Sequence, residues 1–198
     1  SQACLQLQAL QKSWVNEMSA NAKNLTDNMN SNNSITNIAD IASASRDSVI
    51  AELKQYFSIK ELVCKHCYDK FGDNSWQFLD RELLDLLLAL RKFVLKVPLC
   101  VNNWAKGGAM SQRGLRCNIC QIPKDKTLAN KLYLSAHCNG AAIDCQSADM
   151  TAAEMRKLIK EHADELPHRC RIEKDVTWLH IDCFAVTTND LKINEFAG

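Results

Sequence analysis

Apolar side chains recur at Leu7, Leu10, Trp14, Met18, Leu25 and Met29, mostly three and four residues apart. Such a stripe lies along one face of an α-helix. The run "NMNSNNSITN" at 28–37 breaks it with Asn and Ser, which favour turns and caps. A second helix is predicted from about Ile38 to Tyr56, with Ile38, Ile41, Val49 and Leu53 on one face. Residues 1–56 therefore read as a helical arm or hairpin that packs on the rest of the chain, self-associates or anchors the chain to a larger assembly.

From Phe57 the texture changes, and residues 57–198 read as the main domain. "FSIKELVCKHCYDKFG" ends at Gly72, a natural helix stop. "WQFLDRELLDLLLALRKFVL" carries the strongest helical period of the chain and runs out before Pro98. "LCVNNWAKGG" predicts a short strand entering a Gly-rich turn. In "TAAEMRKLIKEHADEL", Thr151 and Glu154 stand in the spacing of a capping box, which fixes a helix start. The chain then ends on "CRIEKDVTWLHIDCFAV", two strand-like runs joined by a polar turn. Helices first and strands later predict an α+β fold with a small antiparallel sheet flanked by helices.

Alternation within the strands sorts the chemistry. Successive strand residues point to opposite faces, so Trp178, His180 and Asp182 share one face while Leu179, Ile181 and Cys183 share the other. In "GAAIDCQ", Ala142, Asp144 and Gln146 fall on one face and Ile143 and Cys145 on the other. An ionised Asp144 in so apolar a run needs a cation, a donor network or solvent. Bringing the two polar faces together gathers His137, Asp144 and His180 around one metal ion, with Gly140 allowing the chain to turn between the first two. Two histidines and one carboxylate leave a coordination position open, as in catalytic zinc sites, and suit zinc best among divalent metals. Amide cleavage also needs a proton shuttle. Glu173 is the first choice and Asp175, in the turn, the second; Asp182 could orient His180. Arg113 and Arg116 in "SQRGLR" are candidates to hold a substrate carboxylate. The plainer alternatives are a hydrogen-bonded core histidine, a solvated Glu173, surface ion pairs for the arginines and edge packing for Trp178. His66, His162 and His168 read as structural or exposed.

Composition narrows the classes. A formal net charge of +1 over 198 residues gives no electrostatic footprint for nucleic acid. The longest apolar run, "LLDLLLAL", is too short to span a bilayer and contains Asp85. The first residues lack a basic region followed by an apolar stretch, so no secretory leader is expected. Ten cysteines are many for this length, but a chain with a core and no leader is expected to keep its thiols reduced. Cys64/Cys67 and Cys117/Cys120 have CxxC spacing. They read as free buried thiols, with a second, structural Cys4 zinc site as the alternative.

"SAHCNGAAID" at 135–144 resembles the S-x-H-x-x-G-x-A-x-D signature of the zinc D-Ala-D-Ala carboxypeptidase and L-alanyl-D-glutamate endopeptidase superfamily, which shares its fold with the hedgehog signalling domain. "WLHID" resembles that family's second histidine motif, and "FSIKELV", "VNNWAKGG", "SQRGLR" and "RIEKDVTWLHID" look like its phage-encoded branch. The likeness covers about residues 57–185. It implies zinc on His137, Asp144 and His180, a general base near the last histidine, Ser135 and Trp178 beside the substrate, and peptide stems of bacterial peptidoglycan as the substrate. Many members carry the base three residues before the last histidine, where this chain has Thr177, so a non-catalytic structural virion protein with the same fold is the alternative. The implied setting is a phage or prophage endolysin or a virion-associated lysin. It would reside in the virion or the infected host's cytoplasm, act on the cell wall, and meet other virion proteins through residues 1–56. A hedgehog-like extracellular role fits poorly with so many unpaired thiols.

Overall fold

The computed structural model describes residues 34–184 and 191–197. The helical stripe over residues 1–30 lies outside them. The described chain is α+β, with seven α-helices and one four-stranded mixed sheet. In chain order the helices are α1 (Ile38–Ser43), α2 (Arg46–Leu53), α3 (Ile59–Leu62), α4 (Lys65–Phe71), α5 (Arg81–Leu88), α6 (Gln121–Leu128) and α7 (Ala152–Glu161). The strands are β1 (Ala142–Cys145), β2 (Cys170–Glu173), β3 (Leu179–Asp182) and β4 (Ile193–Phe196), in spatial order β1-β3-β2-β4.

The helix expected over 38–56 is two. Asn37 caps α1 through a capping box, the chain extends at Ala44, and Ser45 caps α2 by accepting from the backbone N–H of Ser48. Ile41, Val49 and Leu53 are buried in the same core as Leu83, Leu86 and Leu90. Cations tie the segment down: Arg46 donates to the carbonyls of Trp76 and Leu79, Arg81 to those of Ile41 and Ala44, and Lys92 to that of Ile35 and to Glu52. The compact unit that carries the sheet accordingly begins at Ile35, and the expected boundary at residue 56 falls inside it.

α5 is the central helix. Its leucines are buried around the circumference, so it is enclosed rather than half-exposed. Its one buried acid, Asp85, is held by Arg81 at 2.7 Å and His168 at 2.8 Å. The helical run continues past α5 as a wider π-turn over Ala89–Val94, ahead of Pro98. α7 starts at the expected place, with Thr151 and Glu154 forming both halves of the capping box, and buries Met155 and Ile159.

The sheet departs from expectation in one respect. β1–β3 and β2–β3 are antiparallel, but β4 joins β2 in parallel, so the sheet is mixed. Cys100 forms only an isolated bridge to Gln146 instead of a strand. The predicted register of polar faces is present: Asp144 lies opposite His180, Ala142 opposite Asp182, and Ile143 opposite Ile181. The apolar face of this pair is completely covered, with Ile143, Cys145, Leu179 and Ile181 all buried. Among the described residues no helix is long and apolar enough to cross a membrane.

Candidate functional site

β1 and β3 place Asp144 and His180 side by side, and a 3-10 turn over Ala136–Asn139 brings His137 to them. Ser135 caps that turn, its Oγ accepting the backbone N–H of His137. Gly140 closes it with a left-handed φ of 69°. A Cβ at Gly140 would lie 2.0 Å from the carbonyl oxygen of Phe78, so both the dihedral and the close approach demand glycine. His137, Asp144 and His180 offer ligand atoms that all lie within 4.8 Å of one another, and all three residues are buried.

The hydrogen bonds fix which nitrogen faces inward. His137 Nδ1 lies 2.9 Å from the Gly114 carbonyl oxygen, which can only accept. Its Nε2 therefore turns a lone pair toward Asp144 Oδ2, 3.3 Å away. His180 Nε2 lies 2.9 Å from Asp182 Oδ2, and its Nδ1 lies 2.7 Å from Asp144 Oδ1. With the outer N–H groups taken by Gly114 and Asp182, the inner nitrogens confront an anion that only accepts. A cation or an added proton must stand between them, and the same outward hydrogen bonds hold histidines that ligate metals. Asp182 is fully buried and is itself clamped by Arg171 Nε and Nη2 at 2.8 and 2.9 Å.

The titration of the group expresses the same need. Burial would raise the Asp144 carboxyl, but hydrogen bonds and charge from His137 and His180 outweigh it and hold Asp144 well below the usual carboxylate range. Burial would lower His180, yet its bonds to Asp144 and Asp182 raise it to about 9. Asp182 is opposed by burial and kept low by His180 and Arg171.

A cavity of about 370 Å³ opens beside Asp144, lined in part by Gln112, Arg113, Arg116, Ile122 and Trp178. Arg116 is committed inward, donating to Asp144 Oδ2 at 3.1 Å, to Tyr133 Oη at 3.0 Å and to the Gln112 carbonyl. Arg113 and Trp178 differ: Arg113 Nη1 and Trp178 Nε1 are buried donors with no acceptor among the described residues, and both residues line the cavity. Such donors are costly unless something accepts from them. A larger cleft of about 630 Å³, between α7 and the β2–β3 turn, has Arg156 as the one charged side chain among the described residues that line it. That guanidinium is bonded to the carbonyls of Trp178 and Val176, so this cleft offers no acid or base.

Glu173 ends β2. Because Arg171 lies opposite Asp182, the next residue on that face of β2, Glu173, points to the same side of the sheet as His180. Asp175 sits in the turn with a left-handed φ of 62°. His162 bonds Glu165 and His168 bonds Asp85, which suits the structural reading of both.

A second group of donors lies elsewhere. Cys64, Cys117 and Cys120 gather with His66, their ligand atoms all within 4.8 Å. The CxxC spacing points to Cys67 as the fourth member; in the structure His66 completes the tightest set, while the Cys67 thiol lies beside Cys64 and Cys117, and burial and these neighbours push it up to about 12. Cys64 occupies the N-cap position of α4 without a side-chain capping bond, and Cys67, one turn along, lines a pocket with Phe71, Phe78, Leu115 and Cys117. A hydrogen bond with Cys120 holds the Cys64 thiol well below the ordinary thiol value and pushes Cys120 up. The visible signal for His66 was its place two residues after Cys64, outside the standard CxxC pattern. None of the described cysteines is in a disulfide.

Comparison of the chain with family models, with curated proteins and with solved structures finds no match.

Proposed function

We propose that this chain is a zinc-dependent peptidase acting on the peptide stems or cross-links of bacterial peptidoglycan, supplied by a phage or prophage as an endolysin or a virion-associated lysin. The observation that carries the reading is the inward aim of two imidazole nitrogens on Asp144, beside a cavity lined by two unsatisfied buried donors. The signature-like spacing of Ser135, His137, Gly140, Ala142 and Asp144 supports the same class.

His137 Nε2, His180 Nδ1 and Asp144 would hold the metal. When bound, zinc polarises a carbonyl and makes a water more acidic. The protein's own residues supply the rest. Gly114 and Asp182 lock the two imidazoles in the ligating tautomer, and Arg171 keeps Asp182 charged and in place. Arg113 Nη1 and Trp178 Nε1 donate to a substrate carboxylate, as expected for a stem ending in or flanked by a free carboxyl group. Ser135 and Arg116 act through their neighbours, the first on His137 and the second on Asp144. Glu173, on the His180 side of the sheet, takes a proton from the attacking water and returns it to the departing amine as the C–N bond breaks.

The test is digestion of sacculi from several bacteria by the zinc-loaded protein, with released fragments read by mass spectrometry. New termini within the peptide stems are expected, and Glu173→Ala should lower their rate by about 100-fold or more while the metal stays bound. A second reading, a structural virion protein that keeps the fold without turnover, is favoured by Thr177 at the family's usual base position and by the engagement of Asp144 with Arg116. Intact stems across all sacculi, with metal present, would select it.

A further inference from the structure

The group at Cys64, His66, Cys117 and Cys120 shares no residue with the His137–Asp144–His180 site, and its geometry is specific. A tetrahedral zinc ion with bonds of about 2.3 Å to sulfur and about 2.1 Å to nitrogen sets sulfur–sulfur edges of about 3.8 Å and sulfur–nitrogen edges of about 3.6 Å. Here Cys117 Sγ and Cys120 Sγ are 3.7 Å apart. His66 Nδ1 lies 3.5 Å from Cys117 Sγ and 3.6 Å from Cys120 Sγ. A disulfide would bring two sulfurs to about 2.05 Å, so the three thiols are not an oxidised pair with a spectator. Ordinary apolar burial of cysteine gives no reason for a half-exposed loop to aim two thiols and an imidazole ring nitrogen at one point.

We infer that Cys64, His66, Cys117 and Cys120 bind a structural zinc ion that staples the loop carrying Gly114 and Arg116 beneath the His137–Asp144–His180 group. Three sulfurs and one nitrogen fill a tetrahedron and leave no position for water or substrate, which separates this site from the open one. The staple closes on a segment already joined at its other side. Cys64 N–H donates to the Leu115 carbonyl at 3.0 Å, and Leu115 N–H donates to that of Leu62 at 2.9 Å. A Cβ at Gly114 would lie 2.1 Å from the Leu62 carbonyl oxygen, so the two strands of chain meet backbone to backbone. From this segment Gly114 receives His137 Nδ1–H, Arg116 Nη2 reaches Asp144, and Arg116 N–H donates to the His137 carbonyl at 3.1 Å. The ion fixes Cys117, one residue after Arg116, and so fixes the frame in which both ligands stand.

The experiment is metal analysis and cobalt substitution of the full chain. The His137–Asp144–His180 group contains no sulfur, so a near-ultraviolet thiolate-to-cobalt charge-transfer band reports the thiol site alone. Two ions per chain, that band, and a zinc-edge X-ray spectrum fitting three sulfurs with one nitrogen at the tightly held site are expected. His66→Ala should weaken the metal giving that band by about 10-fold or more, and Cys67→Ser should leave it unchanged. A single ion per chain with no thiolate band would overturn the inference. So would loss of the band in Cys67→Ser with retention in His66→Ala, which would make the site Cys4. The wild-type measurement decides the point even where a variant fails to fold.

Discussion

The two donor groups in this molecule are built by opposite means. His137, Asp144 and His180 stand on a turn and two hydrogen-bonded strands, and each imidazole has a second partner that fixes its tautomer. Cys64 and His66 stand at the cap and first turn of α4, and Cys117 and Cys120 on a loop where Cys120 N–H closes a turn on the Cys117 carbonyl. The first group is held by hydrogen bonds and strand pairing that need no ion. The second converges from two segments far apart in sequence, so an ion there would contribute to holding them together. Nitrogen and oxygen donors with an open position suit chemistry, and soft donors in a closed set suit architecture. Substitutions that separate the two roles test the comparison most directly.

The largest effect should come from Cys117→Ser. With one thiolate missing, the loop loses its anchor, and a melting temperature lower by about 10–20 °C is expected from the scale of structural metal binding. His180→Ala should abolish stem cleavage and remove one ion while leaving the cobalt–thiolate band intact. If Cys117→Ser melted like the wild type, the thiol group would be no more than a cluster of buried side chains. Loss of both ions in His180→Ala would show that the two sites do not hold their metals independently.

The contrast also explains what the sequence could reveal. The open site follows from period-two alternation: once "GAAIDCQ" and "TWLHID" are strands, pairing their apolar faces puts Asp144 and His180 on one side of the sheet, and the structure selects the register that sets them opposite each other. The capping box of α7 and the stop at Gly72 are equally local and equally legible. The thiol site was half legible. CxxC spacing marks the segments but cannot say that His66 reaches Cys117 and Cys120 alongside Cys67, because that depends on how α4 docks. The placement of residues 35–53 was not legible either, since an amphipathic helix looks the same whether it covers its own domain or another. β4 was missed because "INEF" is short and its parallel pairing with β2 is non-local.

Next in size is Asp182→Ala. Asp182 is fully buried, and its removal strands Arg171 and the outer N–H of His180. A loss of about 3–5 kcal/mol in chemical denaturation is expected for breaking such a buried pair. Asp182→Asn should be milder for stability but should lower metal affinity or activity by about 10–100-fold, because it disturbs the orientation of a ligand rather than the ligand itself. An Asp182→Asn protein with unchanged metal affinity would remove the tautomer argument from the site.

Smaller still is a pH effect confined to chelated protein. His180 has a folded value raised from 6.5 to about 9, so its contribution is complete below pH 6.5 and is lost as pH rises through about 9. Asp144 is lowered from 3.8, so its contribution is present above that value and is lost only as pH falls further. In metal-free protein the contribution of this pair should therefore be greatest between about pH 4 and 6.5 and fall by on the order of 1–3 kcal/mol by pH 9, read as the difference between wild type and His180→Ala, which cancels the opposite trend of the lowered Cys64 thiol. Metal-loaded protein should show a flatter profile over the same alkaline range, since the ion takes the place of the proton between His180 and Asp144. Thermal melts with and without chelator compare the two directly, and parallel profiles would argue against a metal at this group.

Tyr133→Phe should have the smallest effect and asks the finest question. Tyr133 Oη accepts from Arg116 Nη1 at 3.0 Å, while the same guanidinium donates to Asp144 and to the Gln112 carbonyl. Removing the hydroxyl leaves two of three anchors, in a site open enough for water to replace the third. The stability change should be no more than about 1 kcal/mol. If Arg116 is placed by the metal-stapled backbone, the proposed activity should fall only a few-fold in Tyr133→Phe but strongly in His66→Ala, although His66 is no part of the His137–Asp144–His180 group. The reverse order would mean that Arg116 takes its position from its side-chain neighbours and that the thiol group does not frame the open site.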